Sequence, residues 1–382
     1  MTRILYLAHD LADPAVGRRV AMLRAGGASV DVAGFVRRLA GAPADAIVLG
    51  RTRDGRMAQR AGAVLWGLAR VRARLAALPR PDAIMARNVE MLALAHRVSG
   101  GVPVAYECLD VHRLLLRRDG VGAAMRALER RLANRSALLV TSSPAFAHEH
   151  FHPSGIVTPV CLVENKVFDG APPPAARAGG HSGPLRIGWF GALRCRRSLD
   201  ALTGLAARGQ GRVELVLRGR PARGVLDDLP ERVAVAPGIR FDGPYRYPDD
   251  LADLYGAVDL VWAIDFYEAG GNSDWLLPNR LYEGGRHGVV PIALEGTETA
   301  RWLARHDLGV RLPDIGPETL DRRLGDLARS DVDAMGAAVA AADPALWTAS
   351  PADGAALVER LAGLGTERRP TPRPGTLAEA RA

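Results

Sequence analysis

From Asn272 to Ile292 the chain reads NSDWLLPNRLYEGGRHGVVPI. Pro278 suits the start of a helix, because its fixed φ and missing N–H cost nothing in the first turn. Arg280 and Glu283 then fall one turn apart, Gly288 ends the helix, and Val289-Val290-Pro291-Ile292 begins a strand. Such an Arg–Glu pair is either an ordinary helix-surface ion pair, worth about 0.2–0.5 kcal/mol, or a cation and a carboxylate set to meet a ligand. A second segment, Ile187-Gly188-Trp189-Phe190-Gly191-Ala192-Leu193-Arg194, is an apolar strand running into a loop, with Arg196 and Arg197 following. Gly191 lets backbone approach a ligand closely. Arg194 and Arg197 suit charge-assisted bonds to phosphate oxygens; solvated arginines at a strand end are the plain alternative. Residues 265–273 form a polar, glycine-containing loop, with Asn272 and Ser273 at its end, suited to close around a sugar or a phosphate. Acid–base groups collect at two more strand ends, His9-Asp10 and Tyr106-Glu107-Cys108-Leu109-Asp110-Val111-His112. Aspartate in such a place also serves as a helix N-cap.

These groups act together only if strands and helices converge them. Residues 3–8, 29–35, 46–49, 83–86, 102–106 and 137–142 read as strands, with helical stretches such as 15–24 and 122–134 between them. Alternation of this kind predicts βαβ units and a parallel sheet covered on both faces. Residues 170–184, with three consecutive prolines and Gly179-Gly180, read as a linker. The alternation restarts with strands at 185–190, 213–217, 239–241, 258–264 and 289–294, and helices at 198–207, 248–255 and 279–287. A last helix, 353–364, precedes a Pro/Arg/Thr-rich tail expected to be disordered. The expected domains are 1–168, a linker at 169–184, and 185–365 with the last helix crossing back to the first domain; 366–382 is the tail. Ligands of such sheets bind beyond the carboxyl ends of the strands, here in a cleft between domains.

The 382 residues suffice for two domains with separate cores. Hydrophobic residues at 48% and charged at 24% are ordinary for a soluble globular chain, and no run reaches the roughly 18 apolar residues that span a bilayer. Met1-Thr2-Arg3 leads into a short apolar run stopped by His9-Asp10, expected to be the first strand rather than a signal peptide. Cys108, Cys161 and Cys195 lack paired spacing, which fits a reducing cytoplasm and argues against a zinc site or a disulfide framework. The net charge of +8 is carried by arginine, with Lys166 the one lysine. It points to an anionic partner or to a genome favouring arginine codons. Arg51–Arg80 holds eight arginines and one acid, Asp54, around Trp66. It suits either peripheral contact with an anionic membrane or packing as a helix with a solvated basic face. No nucleic-acid partner is expected: aromatics are 5% and form no stacking platform. A nicotinamide cofactor wants a glycine-rich turn, and residues 9–17 contain one glycine.

In its two arginine-bearing segments the sequence resembles the GT-B glycosyltransferases. Ala86-Arg87-Asn88 and the run from Tyr106 to His112 resemble bacterial exopolysaccharide members, including succinoglycan-type enzymes. The resemblance implies two tandem doubly wound, Rossmann-like α/β domains facing across a cleft, the first for the acceptor and the second for a nucleotide sugar. It implies metal-independent hexosyl transfer from a nucleoside-diphosphate sugar, UDP- or GDP-linked, with no further cofactor. The acceptor would be a lipid-linked or growing polysaccharide hydroxyl, met in the cytoplasm or at the inner face of the cell membrane. By the same resemblance Glu283 holds the donor ribose, since a carboxylate accepts from two vicinal hydroxyls at once. Arg280, with Arg194 and Arg197 after Gly191, lies at the diphosphate, and Tyr245 passes the nucleobase. Retaining members carry a glutamate eight positions before the one matching Glu283, but here that position is Trp275. Asp274 and Glu268 are its nearest substitutes. An inverting member needs a general base: Asp110 ranks first and His9 second, unless Asp110 orients His9, with Glu107 and His112 behind. The alternatives are a nucleotide-sugar 2-epimerase of the same architecture and a non-catalytic nucleotide- or RNA-binding protein.

Overall fold

Strand β1 (Arg3–Ala8) feeds two cores at once. Leu5 and Leu7 join one buried cluster, while Ile4, Tyr6 and Ala8 join another on the opposite face of the sheet. That is the period-2 consequence of a pleated strand covered on both sides. The computed structural model describes residues 1–36, 43, 45–52, 71–168, 170 and 183–365. Most of the Arg51–Arg80 stretch, most of the linker and the tail therefore lie outside the described residues.

The first sheet has seven parallel strands in the order β3-β2-β1-β4-β5-β6-β7. They are β1, β2 (Ser29–Val36), β3 (Ile47–Arg51), β4 (Ala83–Arg87), β5 (Val104–Cys108), β6 (Leu138–Thr141) and β7 (Val160–Leu162). The second has six, in the order β10-β9-β8-β11-β12-β13: β8 (Leu185–Leu193), β9 (Val213–Pro221), β10 (Ile239–Phe241), β11 (Leu260–Trp262), β12 (Val290–Leu294) and β13 (Val310–Leu312). In both, the order reverses beside the first strand of the sheet, the point at which doubly wound folds open a ligand crevice.

The main helices of the first unit are α1 (Pro14–Ala25), α2 (Asn88–Val98) and α3 (Gly120–Ala133). Those of the second are α4 (Arg196–Arg208), α5 (Leu251–Gly256), α6 (Asn279–Arg286), α7 (Glu298–His306) and α8 (Arg329–Ala341), with α9 (Pro351–Gly363) last. Local chemistry sets their starts. Asp13 accepts the N–H of Ala15 with Pro14 in the first turn of α1, and Ser350 and Asp353 form a reciprocal capping box on α9. Pro278 occupies the N-cap of α6, whose start at Asn279 is where the sequence places it, and Gly288 takes φ 70° beyond its end. The edge strands β7 and β13, three residues each, were not expected from the sequence.

α1 is anchored through a buried ion pair. Arg19, 4% exposed, donates from Nε to Oε1 of the fully buried Glu107 at 2.6 Å, and the Tyr6 hydroxyl donates to the other carboxylate oxygen. α9 returns from the second unit to lie against α1, burying Leu357, Val358 and Leu361 in the first unit's core. The approach is close enough to require glycine. A Cβ on Gly26 would stand 2.3 Å from the carbonyl carbon of Gly354, and one on Gly354 would stand 2.3 Å from the Met22 oxygen. Gly17, on the exposed side of α1, has nothing within 4 Å. Gly354→Ala should therefore cost about 1–3 kcal/mol by overpacking, whereas Gly17→Ala should gain about 0.5–1 kcal/mol of helix propensity. Urea-unfolding midpoints of the two variants check this, moving in opposite directions from the parent.

Candidate functional site

The carboxyl ends of the two sheets face each other, and the polar loops leaving them meet. After β5, Asp110 accepts from Nδ2 of Asn272 at 3.3 Å, while the N–H of Val111 donates to Oδ1 of the same asparagine at 2.9 Å. After β6, Ser143 donates to the carbonyl of Trp275. Asn272 and Trp275 belong to a short helical turn that follows the loop after β11, so this loop of the second unit is clasped by the first. Trp275 and Leu276 pack into the first unit's hydrophobic cluster. An indole rather than a carboxylate at 275 thus serves packing between the units.

Gly191 ends the site-facing part of β8 with φ 101°, opposite Gly219 with φ 142°. A Cβ on Gly219 would fall 1.9 Å from the Gly191 oxygen, so these two backbones touch because neither residue has a side chain. Tyr245 covers this turn, its hydroxyl 3.9 Å from where a Gly191 Cβ would be. Arg280, on the first turn of α6, donates from one terminal nitrogen to the Phe190 carbonyl at 3.1 Å, while its buried Nε has no partner. Burial lowers its pKa from the ordinary guanidinium value, with Arg194 pushing the same way and Asp265 opposing. Arg194 is paired with Asp265 (Nη2–Oδ2 2.8 Å) and lies over the Tyr267 ring at 4.9 Å.

Glu283 is 4% exposed and accepts from the Tyr255 hydroxyl at 2.9 Å. Burial pushes its carboxyl above the usual range, and Arg18, then Tyr255 and Arg280, pull it back. Asp110 is open to the cleft yet so closely ringed by protein that loss of bulk solvation raises its carboxyl. The Asn272 amide, Arg194 and Arg87 oppose that rise, and Asp13 adds to it. Glu268, half-buried, is raised by burial too, in the presence of Arg194, Asp110 and Asp265. Its backbone N–H is held by Ser273 Oγ at 2.9 Å.

Gly191, Arg194, Tyr245, Asn272, Ser273, Arg280 and Glu283 thus gather around one cleft, with Asp110 opposite. Arg197 does not join them. It is exposed, stacks over Phe266 at 4.2 Å, and lines a separate cavity with Asp200, Arg208 and Ile315. His9 is half-buried at the end of β1, with β4 between its strand and the one that carries Asp110. Glu107 is consumed in the buried pair with Arg19. One participant the sequence did not announce is Arg18, which reaches from α1 to the Tyr247 hydroxyl at 3.2 Å and Asn279 Oδ1 at 3.4 Å. Nothing local distinguishes it from the chain's many other arginines. Among the described residues no cluster of three or more His, Cys, Asp or Glu is arranged to hold a metal ion, and no helix is long and apolar enough to cross a membrane.

No protein-family model matches the chain. The chain is 48% identical over 386 residues, 95% of its length and 94% of the relative's, to the succinoglycan biosynthesis protein ExoL of Rhizobium meliloti strain 1021. Its fold is also that of Anabaena HepE solved in complex with UDP-glucose, at 15% identity and TM-score 0.65, covering 94% of this chain and 99% of that one. Sucrose-phosphate synthase from Thermosynechococcus elongatus gives TM-score 0.65 at 14% identity, covering 96% and 97%. With two facing Rossmann-like units of GT-B architecture and this level of identity along nearly its whole length, the chain belongs to the family of the succinoglycan biosynthesis protein ExoL.

Proposed function

We propose that this protein is a glycosyltransferase that moves a sugar from a nucleoside-diphosphate donor to an acceptor hydroxyl during assembly of a surface polysaccharide. The observation that carries the reading is the pairing across one cleft. A carboxylate (Glu283) and an under-partnered guanidinium (Arg280) lie beside a side-chain-free turn, and a carboxylate of raised pKa (Asp110) faces them. Glu283 suits the vicinal hydroxyls of a ribose. Arg280, assisted by Arg194, suits the diphosphate and removes the need for a cation. Asp110 is placed to take the acceptor proton as the new glycosidic bond forms, and a base whose pKa lies nearer neutrality is the better for it. ExoL by its name serves succinoglycan biosynthesis; by analogy the acceptor here is a lipid-linked or growing glycan, met at the inner face of the membrane. The Anabaena protein's complex with UDP-glucose supports UDP as the first donor nucleotide to try.

A thermal-shift screen of UDP, GDP, ADP, TDP and CMP tests the donor site. A nucleotide at a hundred times its dissociation constant adds about 2.7 kcal/mol of stability. One nucleoside diphosphate should raise the melting temperature, and Glu283→Ala should abolish the shift. No shift with any nucleotide from well-folded protein would sink the reading.

Asp110→Asn should keep nucleotide binding and lose about 100- to 10,000-fold in transfer rate. Because folding raises the Asp110 pKa and the base must be ionised, the rate should fall as pH drops through a value above the ordinary aspartate pKa of about 3.9. Asn272→Ala, which removes an N–H that favours the carboxylate, should move that acid limb to still higher pH. Initial rates over a pH series in parent and variant decide it, and an unmoved limb counts against Asp110 as the base.

A further inference from the structure

Arg18 crosses the cleft. It leaves α1 of the first unit, donates to the Tyr247 hydroxyl at 3.2 Å and Asn279 Oδ1 at 3.4 Å, and lies 5.8 Å from the centre of the Tyr247 ring. Asn279 opens α6, the helix that carries Glu283 one turn later. We infer that Arg18 is a positioning residue for donor binding, holding the Glu283 carboxylate ready for the donor's vicinal hydroxyls only while the two units are closed on each other. This rests on the reading of Glu283 as the ribose-binding group.

A carboxylate with 4% exposure tends to take up a proton, and a protonated Glu283 loses acceptor sites for two hydroxyls. Among the described residues, the groups facing it come from three elements of the second unit and from α1. Tyr255 donates from α5, Tyr245 from the loop after β10 is near enough for the Glu283 charge to raise its pKa, and Arg280 shares its helix. His287 stacks on the far side of Tyr255 at 5.6 Å. Of the cations, Arg18 favours the ionised form most, ahead of Arg280, and it is the one from the other unit. If the units part, that charge withdraws and the carboxylate tends toward its neutral form. Donor affinity is then coupled to closure of the cleft without any moving loop.

The test is calorimetric titration with whichever of UDP, GDP, ADP or TDP binds the parent most tightly, at about pH 6 and about pH 8, since each unit of pKa change alters the protonation ratio about tenfold. Arg18→Ala should weaken binding about tenfold or more at the lower pH and much less at the higher, with Arg18→Lys recovering part of the loss. In a Glu283→Gln background, Arg18→Ala should cost the same at both pH values. If the alanine variant melts before it can be titrated, Arg18→Gln, which keeps hydrogen-bonding capacity and drops the charge, takes its place with the same expectation. An Arg18 penalty independent of pH in the Glu283 parent, or a pH-dependent one surviving in Glu283→Gln, overturns the inference while leaving nucleotide binding intact. Failure of the parent to bind any of the four overturns the donor-site reading on which it stands.

Discussion

A carboxylate with no exposed surface either meets a partner or gives up its charge, and Glu107 meets the guanidinium of Arg19. Removing one member of such a pair leaves an uncompensated buried charge, at a cost of about 3–5 kcal/mol. The pair therefore fixes where α1 lies on the first sheet with little freedom left. Much else is referred to that position. α9 crosses back from the second unit and settles on α1 at glycine-to-glycine distance. The residue before Arg19 then has one direction to take, outward across the cleft to Tyr247 and Asn279. A buried ion pair and a contact across the cleft sit on neighbouring residues because successive side chains of a helix diverge by about 100°.

The second constraint is Asn272. Its amide group serves Asp110 through Nδ2 and the Val111 N–H through Oδ1, so it spans the two units. An aspartate in its place would put two carboxylates together; an apolar residue would leave the buried Val111 N–H without its acceptor. With Leu276 buried in the first unit's core and Trp275 packed against it, the loop after β11 becomes shared property of both domains. The position of Asp110 relative to that loop is then set by contacts between the two units.

Elements with strong period-2 or 3.6 patterning were legible in the sequence: β1 occupies the residues expected of it, and so does β10. β7 and β13, three residues each like β10, were missed; a neighbouring strand supplies their hydrogen bonds. Among site residues, those next to a strand end and a glycine could be read locally, as with Gly191, Arg280 and Glu283. Arg197 shared that local setting but, from the first turn of α4, stacks on Phe266 and stays exposed. Arg18 could not be read at all. Its partners lie 229 and 261 residues away, and in a chain this rich in arginine, composition gives no hint of which guanidinium finds a distant partner.

How the arginines are partnered also separates their roles. Arg194 already has a carboxylate, Asp265, in a two-nitrogen contact, so its charge is largely answered before any ligand arrives. Among the described residues, Arg280 donates to a peptide carbonyl and its buried Nε meets no acceptor. A desolvated, under-partnered cation is the more costly state, and it is relieved by whatever anion enters beside the Gly191 turn. On the proposed donor reading, Arg280 is therefore the guanidinium with most to gain from a diphosphate in the cleft. Arg194, braced by Asp265 and facing Asp110, is better suited to hold the shape of the opening.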